Sequence, residues 1–178
     1  MNDHFILLLM GESGSGKTTI ANILEQRYGL PQVKSYTTRP KRYPSENNHT
    51  FIASEEFKRM NNWVAYTHFD GHDYGTTREQ VKSCSVYVID PDGVEYFKSH
   101  YTGTRYPVVI YLQVDEQERL RRMLQRGDGV KAAMDRLEND HIKFSNAKSV
   151  ADYVVENTDI EQAVSTILSF VHRNNKTN

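Results

Sequence analysis

The chain begins with a signature that dictates its own surroundings. Phe5-Ile6-Leu7-Leu8-Leu9-Met10 is an unbroken apolar run, and Gly11-Glu12-Ser13-Gly14-Ser15-Gly16-Lys17-Thr18 follows at once. A continuous apolar run bounded by glycine reads as a β-strand covered on both faces, the kind found in parallel sheets. The eight residues after it match G-x-x-x-x-G-K-[ST] at every fixed position. Glycines let the backbone curl until several N–H groups face one anion, and the helix that follows adds the positive end of its dipole. In such a loop Lys17 reaches the outer phosphates of a nucleoside triphosphate, and the Thr18 hydroxyl can hold Mg²⁺. Gly11 to Thr19 are therefore the expected triphosphate-binding residues.

The rest of the chain alternates in the way this start requires. Gly16–Tyr28 has Ile20, Ile23 and Leu24 on one helical face and ends at Gly29 and Pro31. Val33–Thr38, Phe51–Ile52, Trp63–Phe69, Val86–Ile89, Pro107–Val114 and Tyr153–Val155 read as strands, with a turn at Asp70–Gly71. Ser54 is expected to cap a helix over Glu55–Met60, Thr76 with Glu79 to form a capping box, and Asp115 with Glu118 to cap a helix ending at Gln125. Pro91 suits the first turn of a helix after Asp90. A long polar helix is expected over Lys131–Lys148, and a last one from about Ile160 to His172. The tail Arg173–Asn178 is polar and expected to fray.

The predicted class is α/β, a parallel sheet flanked by helices. The 178 residues suit one domain, with a core of 1–34, 81–125 and 149–172, an inserted segment at 35–80 and a second insertion at 126–148. Inserted segments on a rigid core are where substrate closure and lids are expected.

Charge narrows the partners. With 22 basic against 23 acidic side chains, the net charge of −1 argues against a general nucleic-acid binder. The first apolar run is far too short for a membrane span and does not read as a signal peptide. The single cysteine, Cys84, allows no intrachain disulfide, so a cytoplasmic protein is expected. A monomer or homodimer is the expected assembly. His4, His68, His72, His100, His141 and His172 show no metal-ligand spacing.

A second phosphate site is written downstream. Ser35-Tyr36-Thr37-Thr38-Arg39-Pro40-Lys41-Arg42 puts two arginines three apart beside a proline. Guanidinium forks match phosphate oxygens, and two of them suit a dianionic monophosphate, although a solvated basic turn fits the composition equally well. Tyr74, in Gly71-His72-Asp73-Tyr74-Gly75-Thr76, offers a hydroxyl beside a tight turn.

Taken in order and spacing, Gly11–Thr18, Ser35-x-Thr37-Thr38-Arg39-Pro40-x-Arg42, Phe51-x-x-x-Glu55-Glu56-Phe57 and Tyr74-Gly75-Thr76 resemble the guanylate kinase family. Arg122-x-x-x-Arg126-Gly127 and Asp135-Arg136-Leu137 are similar to that family's lid, and Tyr153-Val154-Val155-x-Asn157-x-Asp159 to its last strand and adenine-side loop. The likeness spans nearly the whole chain. It implies a P-loop kinase core with an acceptor-binding insertion at 35–80 and a lid at 126–148. It implies a nucleotide kinase that uses ATP and Mg²⁺ and phosphorylates a small acceptor, GMP or dGMP foremost. On that likeness Arg39, Arg42 and Tyr74 would hold the acceptor phosphate, and Ser35, Thr76 and Asp90 would lie at its base. Arg122, Arg126 and Arg136, with Lys17 and Arg39, would serve the transferring phosphoryl group, and Asn157 would lie near the adenine.

Three positions depart from the family pattern. Ala65 stands where a carboxylate usually accepts hydrogens from the guanine edge, and a methyl group cannot. His49 replaces a phosphate-binding tyrosine, a change that keeps a donor. The acidic pair at the end of Val86–Ile89 is reduced to Asp90, with Val88 in the first place. Ribose 1,5-bisphosphate phosphokinases share the missing carboxylate, and Ser45-Glu46-Asn47-x-His49 resembles their loop, whereas Arg42 fits guanylate kinases better. A phosphorylated-sugar acceptor is thus the alternative within kinases. A non-catalytic interaction domain conflicts with the intact phosphate loop, and a plain hydrolase leaves the paired arginines unused.

Overall fold

The computed structural model describes residues 4–174, with side chains to 171. The end of the polar tail and the side chain of His172 lie outside the described residues. In chain order the elements are β1 (Phe5–Met10), α1 (Lys17–Tyr28), β2 (Tyr36–Thr37), β3 (Thr50–Phe51), α2 (Ser54–Arg59), β4 (Trp63–Phe69), β5 (His72–Thr77), α3 (Arg78–Lys82), β6 (Val86–Val88), α4 (Pro91–His100), β7 (Tyr106–Gln113), α5 (Glu116–Gln125), α6 (Val130–Lys143), α7 (Ala147–Val150), β8 (Tyr153–Glu156) and α8 (Ile160–Asn174).

Two four-stranded sheets result. The first runs β6-β1-β7-β8, and every pairing in it is parallel. Its central strand β1 is buried on both faces because period-two alternation divides six apolar residues between two cores. Phe5, Leu7 and Leu9 pack with Ile20 and Leu24 of α1 and Ile167 of α8. Ile6, Leu8 and Met10 pack with Val94 and Phe97 of α4. This two-sided burial sets the C-terminal end of β1, and hence the phosphate loop, rigidly at one edge of the core.

The second sheet runs β3-β2-β5-β4 within the inserted segment. A two-residue hairpin at Asp70–Gly71 joins β4 to β5, with both residues at positive φ (52° and 73°), the type I′ geometry that matches strand twist. Phe57 of α2 stacks on Trp63 with ring centroids 4.6 Å apart, closing one side of this sheet. A third, small cluster of Met123, Ala133 and Leu137 holds α6 against α5.

Local expectations shift in places. The strand expected over Val33–Thr38 narrows to Tyr36–Thr37, with Gln32 making one isolated bridge to Val86. The chain there crosses from one sheet to the other and cannot pair continuously with either. Ser54 is the first helical residue rather than the cap, which is Ala53 and makes no side-chain cap bond. The capping box is Thr77 with Gln80, one residue later than expected. Asp115 caps α5 through Gln117, while Glu118 turns to Arg121 and Arg122 instead of reaching back. The long helix expected over Lys131–Lys148 is two helices, α6 and α7, separated at Phe144–Asn146.

Candidate active site

A cavity of about 540 Å³ lies between the phosphate loop, the second sheet and α6. Seven cationic side chains line it, Lys17, Arg39, Arg42, Arg122, Arg126, Arg136 and Lys143, against two carboxylates, Asp90 and Asp140. Such an excess on one concave surface focuses a positive potential suited to phosphates.

The loop is built as its glycines require. Gly14 and Gly16 have φ of 79° and 91°, conformations that a side chain rarely adopts. A Cβ on Gly16 would also collide with the Asn157 amide. Gly11, Ser13, Gly14, Gly16, Lys17, Thr18 and Thr19 face the cavity. Glu12 and Ser15 do not: the Tyr111 hydroxyl donates to Glu12 at 2.8 Å, and Ser15 is fully buried. Lys17 Nζ donates to the carbonyls of Gly11 at 2.6 Å and Glu12 at 2.9 Å. Burial pushes its ammonium down to about 8, against the opposing pull of Asp140 and Glu12.

Arg39 and Arg42 come together at the cavity wall on one counter-ion, Glu46. Arg39 Nη2 and Nη1 donate to the two Glu46 oxygens at 2.7 and 3.3 Å, and the Arg42 backbone N–H donates to Oε2 at 2.6 Å. The guanidinium of Arg42 has burial and the nearby charges of Arg136, Arg39 and Arg126 against it, which lower its pKa. This crowding is an electrostatic cost that a bound anion relieves. Arg126 forks onto Asp128 at 3.1 and 2.6 Å, and Arg136 shares the same carboxylate at 3.1 Å. Arg122 is held by Glu118 and by the Asn157 carbonyl, both at 2.8 Å.

His49 Nδ1 sits 2.9 Å from the Ser35 hydroxyl, and its ring meets the edge of Tyr74 at 5.7 Å. Burial, and then the charge of Arg39, brings His49 down to about 4, so the ring is neutral at pH 7. Ser35, Tyr74 and Ala65 line the cavity beside it. Two further expected residues are not on the wall. Thr76 is fully buried, and its hydroxyl donates at 2.7 Å to Tyr87, which takes its place on the wall. Asn157 is 1% exposed and donates to the Ser15 carbonyl at 2.8 Å, bracing the phosphate loop from behind. Asp90 caps α4 by accepting from Gly93 N–H at 2.7 Å and pairs with Lys143 at 2.8 Å.

Several neighbours had no assigned place in the sequence. Asp140 accepts the Ser13 N–H of the phosphate loop at 2.7 Å and lies 3.6 Å from the buried Arg119. Burial raises its pKa. Contacts across 127 residues leave no local pattern. Glu46 and Asp128 are different: each is an acid set in a basic or glycine-rich loop, and that isolation was readable.

No metal cluster of three or more His, Cys, Asp or Glu residues occurs among the described residues. Mg²⁺ in phosphoryl transfer keeps several waters and takes few protein ligands besides the phosphates. The exposed Thr18 hydroxyl beside Lys17 fits that requirement.

The strand–loop–helix phosphate cradle and the cationic cavity beside it define an ATP-dependent P-loop nucleotide kinase. A family model described as an AAA domain matches residues 7–146. The guanylate kinase of Bartonella henselae is 31% identical over 178 residues, covering 93% of this chain and 79% of that protein. That of Helicobacter pylori is 27% identical, covering 97% and 90%. The crystal structure of guanylate kinase from Anaplasma phagocytophilum superposes with a TM-score of 0.70 at 24% identity, covering 100% of this chain and 89% of that one. The chain belongs to the guanylate kinase family.

Proposed function

We propose that this chain transfers the γ-phosphoryl group of ATP to the phosphate of a nucleoside monophosphate, GMP or dGMP foremost. The observation that carries this reading is the convergence of Arg39, Arg42, Arg126 and Arg136 on the cavity that the phosphate loop also faces. Phosphoryl transfer through a loose transition state needs positioning and cationic stabilisation far more than covalent help. The loop N–H groups and Lys17 bind the donor phosphates. Thr18 would hold Mg²⁺, which neutralises developing charge on the phosphates when bound. Arg39, Arg42, Tyr74 and neutral His49 bind the acceptor phosphate, with Ser35 orienting His49. Arg122, Arg126 and Arg136 flank the group in transfer.

Segment 35–80 is then the acceptor-binding insertion, and 126–148 a lid that excludes water from the phosphoryl group. Asn157 and Thr76 act indirectly, by bracing the loop and by fixing Tyr87. Small-molecule acceptors, a cytoplasmic setting and a monomeric or homodimeric state complete the reading. Among the described residues no helix is long and apolar enough to cross a membrane.

The test is a coupled assay of ADP formation with GMP, dGMP, AMP and ribose 1,5-bisphosphate. Turnover of GMP is expected, and its absence sinks the reading. Ala65 on the wall is the observation that favours the second reading, a phosphorylated sugar, which would show as turnover of the bisphosphate alone. Lys17→Ala should abolish transfer while the melting temperature stays near that of the parent.

A further inference from the structure

Lys143, the last residue of α6, shares no partner with the arginine cluster. Its Nζ lies 2.8 Å from Asp90 Oδ2 and 3.2 Å from Asp92 Oδ2, donates to Thr67 Oγ1 at 3.2 Å, and stands 4.4 Å from the centre of the Phe69 ring. Asp90 Oδ1 is already occupied by the Gly93 N–H, so Oδ2 is the oxygen left beside the ammonium. Both Lys143 and Asp90 face the cavity, and the neighbouring Ala65 offers no lone pair. This part of the wall therefore presents a pure donor next to a pure acceptor, and of the three contacts that use the ammonium's hydrogens the one to Asp92, whose side chain is 66% exposed, is the one a ligand carbonyl displaces. One ammonium faces two carboxylates, so the local balance is negative and a second anionic group is disfavoured here. Aromatic lining favours a flat ring instead.

We infer that Lys143 and Asp90 read the base of the acceptor, selecting a lactam edge in which a carbonyl oxygen stands beside a ring N–H. The ammonium donates to the carbonyl, and the carboxylate accepts from the N–H. A base with an amino group in place of the carbonyl sets N–H against the ammonium and is discriminated against. This rests on the monophosphate-acceptor reading above. It deepens that reading by moving base selection from the strand position of Ala65 to α6, and by predicting that hypoxanthine is used like guanine.

The experiment measures kcat/KM for GMP, IMP and AMP at saturating ATP in the full-length protein and in Lys143→Met, with calorimetric titration of each monophosphate. The parent should prefer GMP and IMP to AMP. Lys143→Met should lose about ten- to a hundredfold on GMP and IMP, the worth of one hydrogen bond to a charged group, with AMP and the KM for ATP nearly unchanged. Lys143→Arg should restore part of the preference. If Lys143→Met folds poorly because Asp90 is left unpaired, the double variant with Asp90→Asn removes that charge and should show the same loss of preference. An unchanged GMP-to-AMP ratio in the folded variants overturns the inference while leaving the kinase reading intact. A parent that neither binds nor turns over any nucleoside monophosphate overturns both.

Discussion

Replacing Glu46 by glutamine is the most informative single change to the acceptor side. Three donors, Arg39 Nη1, Arg39 Nη2 and the Arg42 N–H, converge on its two oxygens at 2.6–3.3 Å, and the Arg39 and Glu46 side chains are only 9% and 2% exposed. An amide keeps the shape but has one oxygen and an NH₂ group, so at least one contact becomes donor against donor and the charge assistance is lost. Breaking one member of a buried pair costs about 3–5 kcal/mol. Each kcal/mol moves the melting temperature of a domain this size by about 2–4 °C, so a fall of roughly 6–12 °C is expected at the lower cost. Scanning calorimetry measures it. The KM for the acceptor should rise tenfold or more while that for ATP stays within about twofold, since Glu46 touches no part of the phosphate loop. The pH dependence gives an internal check. Burial alone would raise the Glu46 carboxyl, but the hydrogen bonds from Arg39 and Arg42 outweigh it and hold it below its ordinary value. Its stabilisation is therefore present above the unfolded carboxylate range and lost as pH falls through the depressed folded value. Glu46→Gln should lack that component. A melting temperature unchanged within about 2 °C, or an ATP KM that rises as much as the acceptor KM, would refute the reasoning.

Lys17 titrates at about 8 in the free protein, so above that pH binding of ATP must take up a proton. The Kd for ATP should then rise by up to about tenfold per pH unit from pH 8 upward, and calorimetry should find no such slope in Lys17→Arg. Asp140→Asn removes the largest charge that keeps Lys17 protonated and should move the onset of that slope below pH 8. Gly16→Ala forces φ of 91° on an alanine and drives its Cβ into the Asn157 amide; ATP binding should vanish with the core fold retained, read by titration and circular dichroism. Gly75→Ala places a Cβ 2.7 Å from the Trp63 ring and 2.9 Å from Phe57, and should cost about 1–3 kcal/mol in denaturant unfolding.

Features set by neighbours in sequence were readable, and those set by neighbours in space were not. The phosphate loop, β4, the Asp70–Gly71 hairpin, the helix start at Pro91 and the Asp115 cap each depend on a few consecutive residues. The capping box shows where local reading runs out: Thr76–Glu79 and Thr77–Gln80 have the same spacing, and the choice falls to Thr77 because Thr76 is drawn inward to the Tyr87 hydroxyl. Likewise nothing near Asp140 or Lys143 announces that they meet Ser13 and Asp90, because those contacts exist only once α6 has packed. Helical pattern carried past Phe144–Asn146 for a related reason: polar residues there permit a helix, and the break serves the return of the chain to β8.

The position of α6 has a mechanical corollary. Asp140, which holds the phosphate loop, and Lys143, which pairs with Asp90 on the cavity wall, are three residues apart on one helix, less than a full turn. A tilt that lifts one side chain from its partner moves the other through nearly the same stroke. The phosphate loop and the opposite wall of the cavity are thus tied to a single rigid part.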